Sequence, residues 1–308
     1  MHRLRQAARA RRRTGRRGRP GRRQRHAHPL HRTTPVTPLH PEVARAAHAR
    51  WPDRAPAWIE ALPVELTEVC AALSVTPTGT TFSARSALVV EATTSAGARV
   101  VLRSSPDPDA VHQAAVLEQL SRAGLAPAVH LLRNTPTSTW TALDAAEPGA
   151  SFAEQEPRPR DLARVATMLR TLADEDGVPS VPSIVPWLRA RLTYPPVDDQ
   201  PPHRGPESAA VRDAASVVLD DLAGDMLARL CHADLSPPNV LHGRGRLWFI
   251  DPRGMNGEAA YDIAVLALKL CDDHLDAARA LARSIALSSD TDPDRADAWV
   301  TVADAATV

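Results

Sequence analysis

The segment Cys231-His-Ala-Asp-Leu-Ser-Pro-Pro-Asn-Val-Leu241, with Leu247-Trp-Phe-Ile-Asp251 close behind it, restricts what this chain can fold into more than any other feature. Val240-Leu241 and Leu247–Ile250 are short apolar runs, and His242-Gly-Arg-Gly-Arg246 between them has the composition of a turn. That pattern predicts a β-hairpin. A hairpin there returns Asp251 to the side of Asn239, so Asp234, Asn239 and Asp251 should meet at one mouth. Asparagine occurs in this chain only at 134, 239 and 256. An ordinary loop with an acid, a proline pair and an Asn cap would not need a hairpin and a second acid behind it.

These residue types suit phosphoryl transfer, which depends mainly on positioning and on neutralising phosphate charge. Asp234 would orient the attacking hydroxyl and accept its proton late in the reaction. Mg²⁺ prefers oxygen ligands and keeps several waters, so one carboxylate and one amide oxygen suffice beside the phosphates. Asp251 and Asn239 supply them. His232 joins Asp234 in the catalytic set, as a brace for the loop rather than a proton carrier.

The run His232-Ala-Asp-Leu-Ser-Pro-Pro-Asn-Val-Leu241 resembles the catalytic loop of aminoglycoside phosphotransferases. Its continuation, Ile250-Asp-Pro-Arg-Gly-Met-Asn-Gly-Glu-Ala-Ala-Tyr-Asp262, looks like the branch containing streptomycin 6-phosphotransferase and the hydroxyurea phosphotransferases. That branch typically carries Ile-Asp-Pro-Lys-Gly and then Gly-Asp-Pro-Ala-Tyr-Asp. The likeness is specific over residues 229–268, diffuse over 51–228 and absent from 1–46. It implies a two-lobed α/β protein-kinase-like fold, with a small antiparallel-sheet amino-terminal lobe and a larger helical carboxy-terminal lobe. It implies ATP and Mg²⁺ as cofactors, and transfer of the γ-phosphate to a hydroxyl of a small molecule such as the aminoglycoside streptomycin. Asp262 matches a residue that supports the catalytic loop from below.

The amino-terminal half departs from that pattern. The strand Arg99-Val-Val-Leu-Arg103 matches one that carries an ATP-binding lysine in the family, and here the residue is Arg103. The glutamate that usually meets this lysine is replaced by Gln113. Arginine keeps the charge but not the compact ammonium. Lys269 is the only lysine in the chain, so arginine has displaced lysine almost everywhere. The phosphate loop, Thr76 to Ser83, offers only Gly79, with Ser83 as a further phosphate contact. The chain also ends at Thr307-Val308, early for the family. A nucleotide-binding pseudo-kinase without transfer activity is therefore the competing reading.

Along the chain, Trp58, Leu62, Leu66, Val69 and Leu73 recur at helical spacing. Thr76 to Ser83 reads as a turn-rich stretch. Leu88–Ala92 and Arg99–Leu102 flank Ser95-Ala-Gly97 as a hairpin. Asp109 is placed to cap a helix to about Ala123, with Val111, Leu117 and Leu120 inward. Short strands follow at Val129–Leu132 and Thr139–Leu143, and a hinge near Leu143–Ala146 would meet adenine. Beyond Pro159 the pattern is helical, with one stripe at Leu162, Val165, Leu169 and Leu172 and another at Val211, Ala214, Val218 and Leu222. A Pro-rich connection, Tyr194 to Pro206, lies between them. The expected division is a disordered Arg-rich tail over 1–46, a nucleotide-binding lobe over 47–146 and a catalytic and substrate lobe over 147–308.

Charge is concentrated at one end. Residues 1–41 hold thirteen arginines and no acid, which leaves 24 Lys+Arg against 36 Asp+Glu elsewhere, a net −12. The tail has no apolar periodicity to offset the entropy of ordering it. It could contact phosphates of RNA or lipid, serve as a targeting segment, or be a non-native extension from an upstream start; a solvated or artefactual tail is the reading preferred, and nothing in the body points to nucleic acid. The acidic body suits a small, hydroxylated, cationic substrate, with Glu258, Asp272, Asp273 and Asp276 as candidate contacts beside the plainer reading of a solvated acidic face. No apolar run approaches the roughly 18 residues of a membrane span. Cys70, Cys231 and Cys271 form no paired motif, which predicts thiols in a reducing, cytoplasmic setting.

Overall fold

Pro41 opens the first described helix, α1 (Pro41–Arg50), where its missing N–H is one the helix would not use. The computed structural model describes residues 39–82, 84–194, 207–272 and 274–308. The expectations for Ser83 and Asp273, for most of the arginine-rich tail and for most of the Pro-rich connection lie outside the described residues. Val43 and Ala47 of α1 are buried. The tail drawn to residue 46 is therefore too long, because burial of one α1 face outweighs the polar composition around it.

In α2 (Ala55–Leu73) the predicted face is inward, with Trp58, Leu62, Leu66 and Val69 buried. It packs on a five-stranded antiparallel sheet of order β1-β2-β3-β5-β4. The strands are β1 (Val75–Thr81), β2 (Leu88–Thr94), β3 (Arg99–Ser105), β4 (Val129–Asn134) and β5 (Thr139–Asp144). β1 occupies the stretch expected to be turn. It is an edge strand with a register break between Pro77 and Thr81, and Val75 is its one buried residue. Main-chain pairing to β2, rather than side-chain burial, makes it a strand, so hydrophobic alternation does not reveal it.

Polar groups tie α2 to this sheet. Trp58 Nε1 donates to Ser104 Oγ at 3.0 Å. Glu65 accepts from Trp140 Nε1 at 2.7 Å and from the hydroxyls of Thr137 at 2.8 Å and Ser138 at 2.7 Å. Burial pushes the Glu65 carboxyl up, but these donors outweigh it and hold the group below its ordinary value.

α3 (Ala110–Arg122) follows the sheet's third strand and buries Ala114, Val116, Leu117 and Leu120. Val111, expected inward, is exposed. Asp109 stands at the N-cap, but its side chain makes no capping bond; its N–H donates to Asp107 Oδ1 at 2.9 Å instead. Val116, Leu117 and Leu120 join the core of the helical half, so α3 belongs by packing to both halves.

The helical half comprises α4 (Pro159–Asp174), α5 (Ile184–Thr193), α6 (Ala209–Asp225), α7 (Ala259–Leu270), α8 (Leu275–Ser288) and α9 (Pro293–Ala305). α7 is its axis, buried without interruption from Ala259 to Leu268. Tyr261 meets Trp299 of α9 edge to face, with centroids 5.3 Å apart. In α6 the buried stripe is Ala215, Leu219 and Leu222; Leu222 is inward as expected and Val218 is partly covered, while Val211 and Ala214 face out. β6 (Val240–His242) and β7 (Leu247–Phe249) form the predicted hairpin, pairing Val240 with Phe249 and His242 with Leu247. Among the described residues no helix is long and apolar enough to cross a membrane. The three cysteines are unbridged.

Candidate active site

The loop before the hairpin hangs from α7. Asp262, fully buried, accepts the backbone N–H of His232 on Oδ2 and that of Ala233 on Oδ1, each at 2.8 Å. Ala233 has φ +61°, a left-handed conformation that strains a residue with a Cβ. The bond from its N–H helps hold it there. Burial raises the Asp262 carboxyl above its ordinary value, and the nearby imidazole and the two amides counter this only in part.

His232 is the second support. Its Nδ1 accepts the N–H of Asp234 at 3.3 Å, and its Nε2 lies 2.8 Å from the carbonyl of Ile250. A carbonyl can only accept, so these bonds select the tautomer with hydrogen on Nε2. Both ring nitrogens are engaged with backbone, which matches a brace between the loop and the strand that leads to Asp251. The Asn239 amide nitrogen donates to the carbonyl of Asp234 at 2.8 Å, and the Asn239 carbonyl accepts from Ile250 N–H at 3.0 Å. With its nitrogen so held, Asn239 offers Oδ1 as the end available to a cation. Asp251 follows Ile250 at φ +55°, with its side chain 52% exposed.

Arg103 touches both the helix after its strand and the loop after the hairpin. Arg103 on β3 lies 3.1 Å from Asp251 Oδ1 and donates to Gln113 Oε1 at 3.2 Å. Gln113 in turn donates to Asp107 Oδ2 at 2.9 Å. Gly254, at φ +78°, lets the loop after Asp251 lie directly on α3; a Cβ there would sit 2.4 Å from Gln113 N. Gly79 is exposed at φ +88° in the β1 irregularity, with open space around its would-be Cβ, and no described contact joins it to the other candidates. The stretch that follows the expected hinge is laced to the hairpin: Gly149 N–H donates to His242 O at 2.9 Å and Phe152 N–H to Val240 O at 3.0 Å.

Two residues at this mouth were not assigned roles from sequence. Arg253 pairs with Asp234 Oδ2 at 3.0 Å, and its guanidinium lies 4.7 Å from the ring centre of Trp187 on α5. Arg253 stands inside the segment that carries the family resemblance, where the branch has lysine, so a signal existed. Trp187 had none, because its approach is purely tertiary. Glu258 is a correction in the other direction. It accepts from Arg295 Nε at 2.6 Å and from Trp299 Nε1, so it is committed to the α9 interface rather than to a substrate.

Among the described residues no three His, Cys, Asp or Glu side chains cluster to form a metal site. The oxygen set of Asn239 and Asp251 fits a hard cation shared with phosphates, not a cation held by protein alone.

Comparison with known proteins agrees with this architecture. A sequence model described as the phosphotransferase enzyme family (APH) matches residues 78–299. A search of curated proteins finds no significant match. Among solved structures, an aminoglycoside-3'-phosphotransferase of type VIII is 18% identical, covering 77% of this chain and 98% of its own, with a TM-score of 0.52. An ethanolamine kinase of Plasmodium vivax is 13% identical over 82% of this chain and 79% of its own, with a TM-score of 0.54. The amicoumacin kinase hAmiN, in complex with AMP-PNP, Ca²⁺ and Ami, is 14% identical over 73% of this chain and 76% of its own, with a TM-score of 0.51. At these identities the likeness is one of fold, and it bears out the expected sheet lobe and helical lobe.

Proposed function

Because this chain belongs to the phosphotransferase enzyme family, we propose that it transfers the γ-phosphate of ATP to a hydroxyl of a small molecule. The observation that carries this reading is the Asp234 mouth. An acid with a partly exposed carboxylate sits on a loop gripped from the core, one hydrogen bond from Asn239 and one strand end from Asp251. Asp234 would accept the hydrogen bond of the acceptor hydroxyl and take its proton as that oxygen gains the phosphoryl group. Asn239 and Asp251 would hold Mg²⁺, which when bound neutralises phosphate charge. Arg103 and the backbone near Gly79 would face the phosphates. His232 keeps Asp234 and the Asp251 strand in register. At the hinge, Asp144 N–H and Ala145 N–H already donate to Ala128 and Arg99 carbonyls, so Ala146 is the residue we assign to adenine.

The nucleotide reading is supported by the AMP-PNP complex of the amicoumacin kinase. For the acceptor, the Ile250–Asp262 likeness favours streptomycin, and its inactivation as an antibiotic would be the biological role. The fold neighbours that act on ethanolamine or aminoglycosides make small hydroxylated cations the class to screen. With Glu258 committed elsewhere, Asp272 and Asp276 remain the acidic candidates. Residues 47–146 would bind nucleotide and 147–308 would carry catalysis and acceptor. A cytoplasmic site is our expectation for an ATP-using protein with free thiols.

A second reading, a nucleotide-binding pseudo-kinase, is favoured by Arg103 and Gln113 standing where the family has lysine and glutamate. One set of measurements separates them. ATP with Mg²⁺ should raise the melting temperature, and ADP release should appear with streptomycin, choline or ethanolamine as acceptor. Asp234→Asn should keep the nucleotide shift but lower turnover about 10³-fold. Binding without transfer to any acceptor would favour the pseudo-kinase. An unshifted melting temperature would remove the nucleotide reading, and a fully active Asp234→Asn would remove the base.

A further inference from the structure

We propose that Arg253 is the positioning residue of Asp234, an inference that rests on reading Asp234 as the group that meets the acceptor. Arg253 touches three successive residues of the catalytic loop. Its backbone N–H donates to His232 O at 2.9 Å, its Nε to Ala233 O at 3.3 Å and its Nη2 to Asp234 Oδ2 at 3.0 Å. The guanidinium is then laid over Trp187 at 4.7 Å. Trp187 is itself approached by Arg191 at 4.9 Å, whose Nε and Nη2 donate to the Ala306 and Thr307 carbonyls. A planar cation is thus fixed at its root, along one edge and on one face.

A carboxylate on a loop can otherwise turn about its terminal torsion and present either oxygen. Arg253 occupies Oδ2 and leaves Oδ1 to the acceptor hydroxyl. The same guanidinium ties the carboxylate to the loop's own backbone, through Ala233 O, so the acid cannot drift relative to the amides that Asp262 holds. Lysine could reach the carboxylate but has no second donor in a fixed plane for Ala233 and no flat face for Trp187. Glutamine would remove the charge. The ordering expected of position 253 is therefore arginine over lysine over glutamine.

The test is a double-mutant cycle in the full chain with Arg253→Gln, Arg253→Lys, Asp234→Asn and Asp234→Asn/Arg253→Gln. We expect Arg253→Gln to lower kcat about 30-fold with the KM for ATP within about twofold, and Arg253→Lys to recover part of the loss. Because Arg253 acts through Asp234, the double variant should be no slower than Asp234→Asn alone. Multiplying losses in the double variant, or a raised KM with unchanged kcat, would overturn the proposal. If the wild type transfers phosphate neither to water nor to streptomycin, choline or ethanolamine, the functional reading fails by itself. The same four proteins then test the pair by urea denaturation: coupled stability losses support it and strictly additive losses overturn it.

Discussion

The two sides of the candidate site are held in opposite ways. On the large-lobe side, Asp262 grips two consecutive amides from a fully buried position, and His232 spends both ring nitrogens on backbone. On the small-lobe side, Arg103 divides itself between Gln113 and Asp251, while Gly79 lies exposed on an edge strand. Buried partners with no water to compete leave one arrangement available. Half-exposed partners keep alternatives, because water can replace either one. The loop that bears Asp234 is thus preorganised, and the side proposed to face phosphates is free to rearrange around a ligand.

Asp262→Asn should break this comparison most strongly. An amide turned either way points its NH₂ at one of two backbone donors and strands that amide, for a loss of about 2 kcal/mol by chemical denaturation. Replacement should also alter the pH response. The Asp262 carboxyl is raised from about 3.8 in the fold, so the folded state keeps a proton that the unfolded state has lost. Wild-type stability from this group therefore falls as pH rises from about 3.8 to the folded value, and the variant should lack that slope.

Arg103→Ala addresses the looser side and should act more weakly. We expect about tenfold weaker ATP binding in calorimetry, with little change in melting temperature, because its partners are open to water. Arg103→Lys should bind at least as well as wild type if the side chain meets phosphate. An Arg103→Ala protein with unchanged affinity would mean that position 103 serves only the strand.

Glu65→Gln gives the smallest effect and the opposite pH sign. The Glu65 carboxyl is held below its ordinary 4.5 despite burial. Its contribution is present above that value and lost as pH falls through the lower folded value. The variant should melt slightly lower at neutral pH, and its melting temperature should depend less on pH on the acid side. A steeper acid dependence would mean that the Thr137, Ser138 and Trp140 donors do not stabilise the charged form.

The sequence by itself determined the hairpin, the juxtaposition of Asn239 and Asp251 around it, the inward face of α2 and the supporting place of Asp262. The first three follow from local periodicity and turn chemistry among residues close in the chain, and the place of Asp262 follows from the family resemblance of the segment that holds it. The family resemblance, rather than any local pattern, also implied that Arg103 and Gln113 would meet, and they do. Tertiary structure alone decided the rest. β1 is a strand because β2 offers it hydrogen bonds, not because its side chains alternate. Val111, Val211 and Ala214 face outward against expectation, since the neighbouring elements choose which of several apolar residues to cover. Glu258 left the substrate set because Arg295 and Trp299, far along the chain, reach it first. The resemblance placed a basic residue at position 253, but its role was decided because Trp187 and Asp234, distant in sequence, close around one guanidinium, and the approach of Trp187 has no local pattern to announce it.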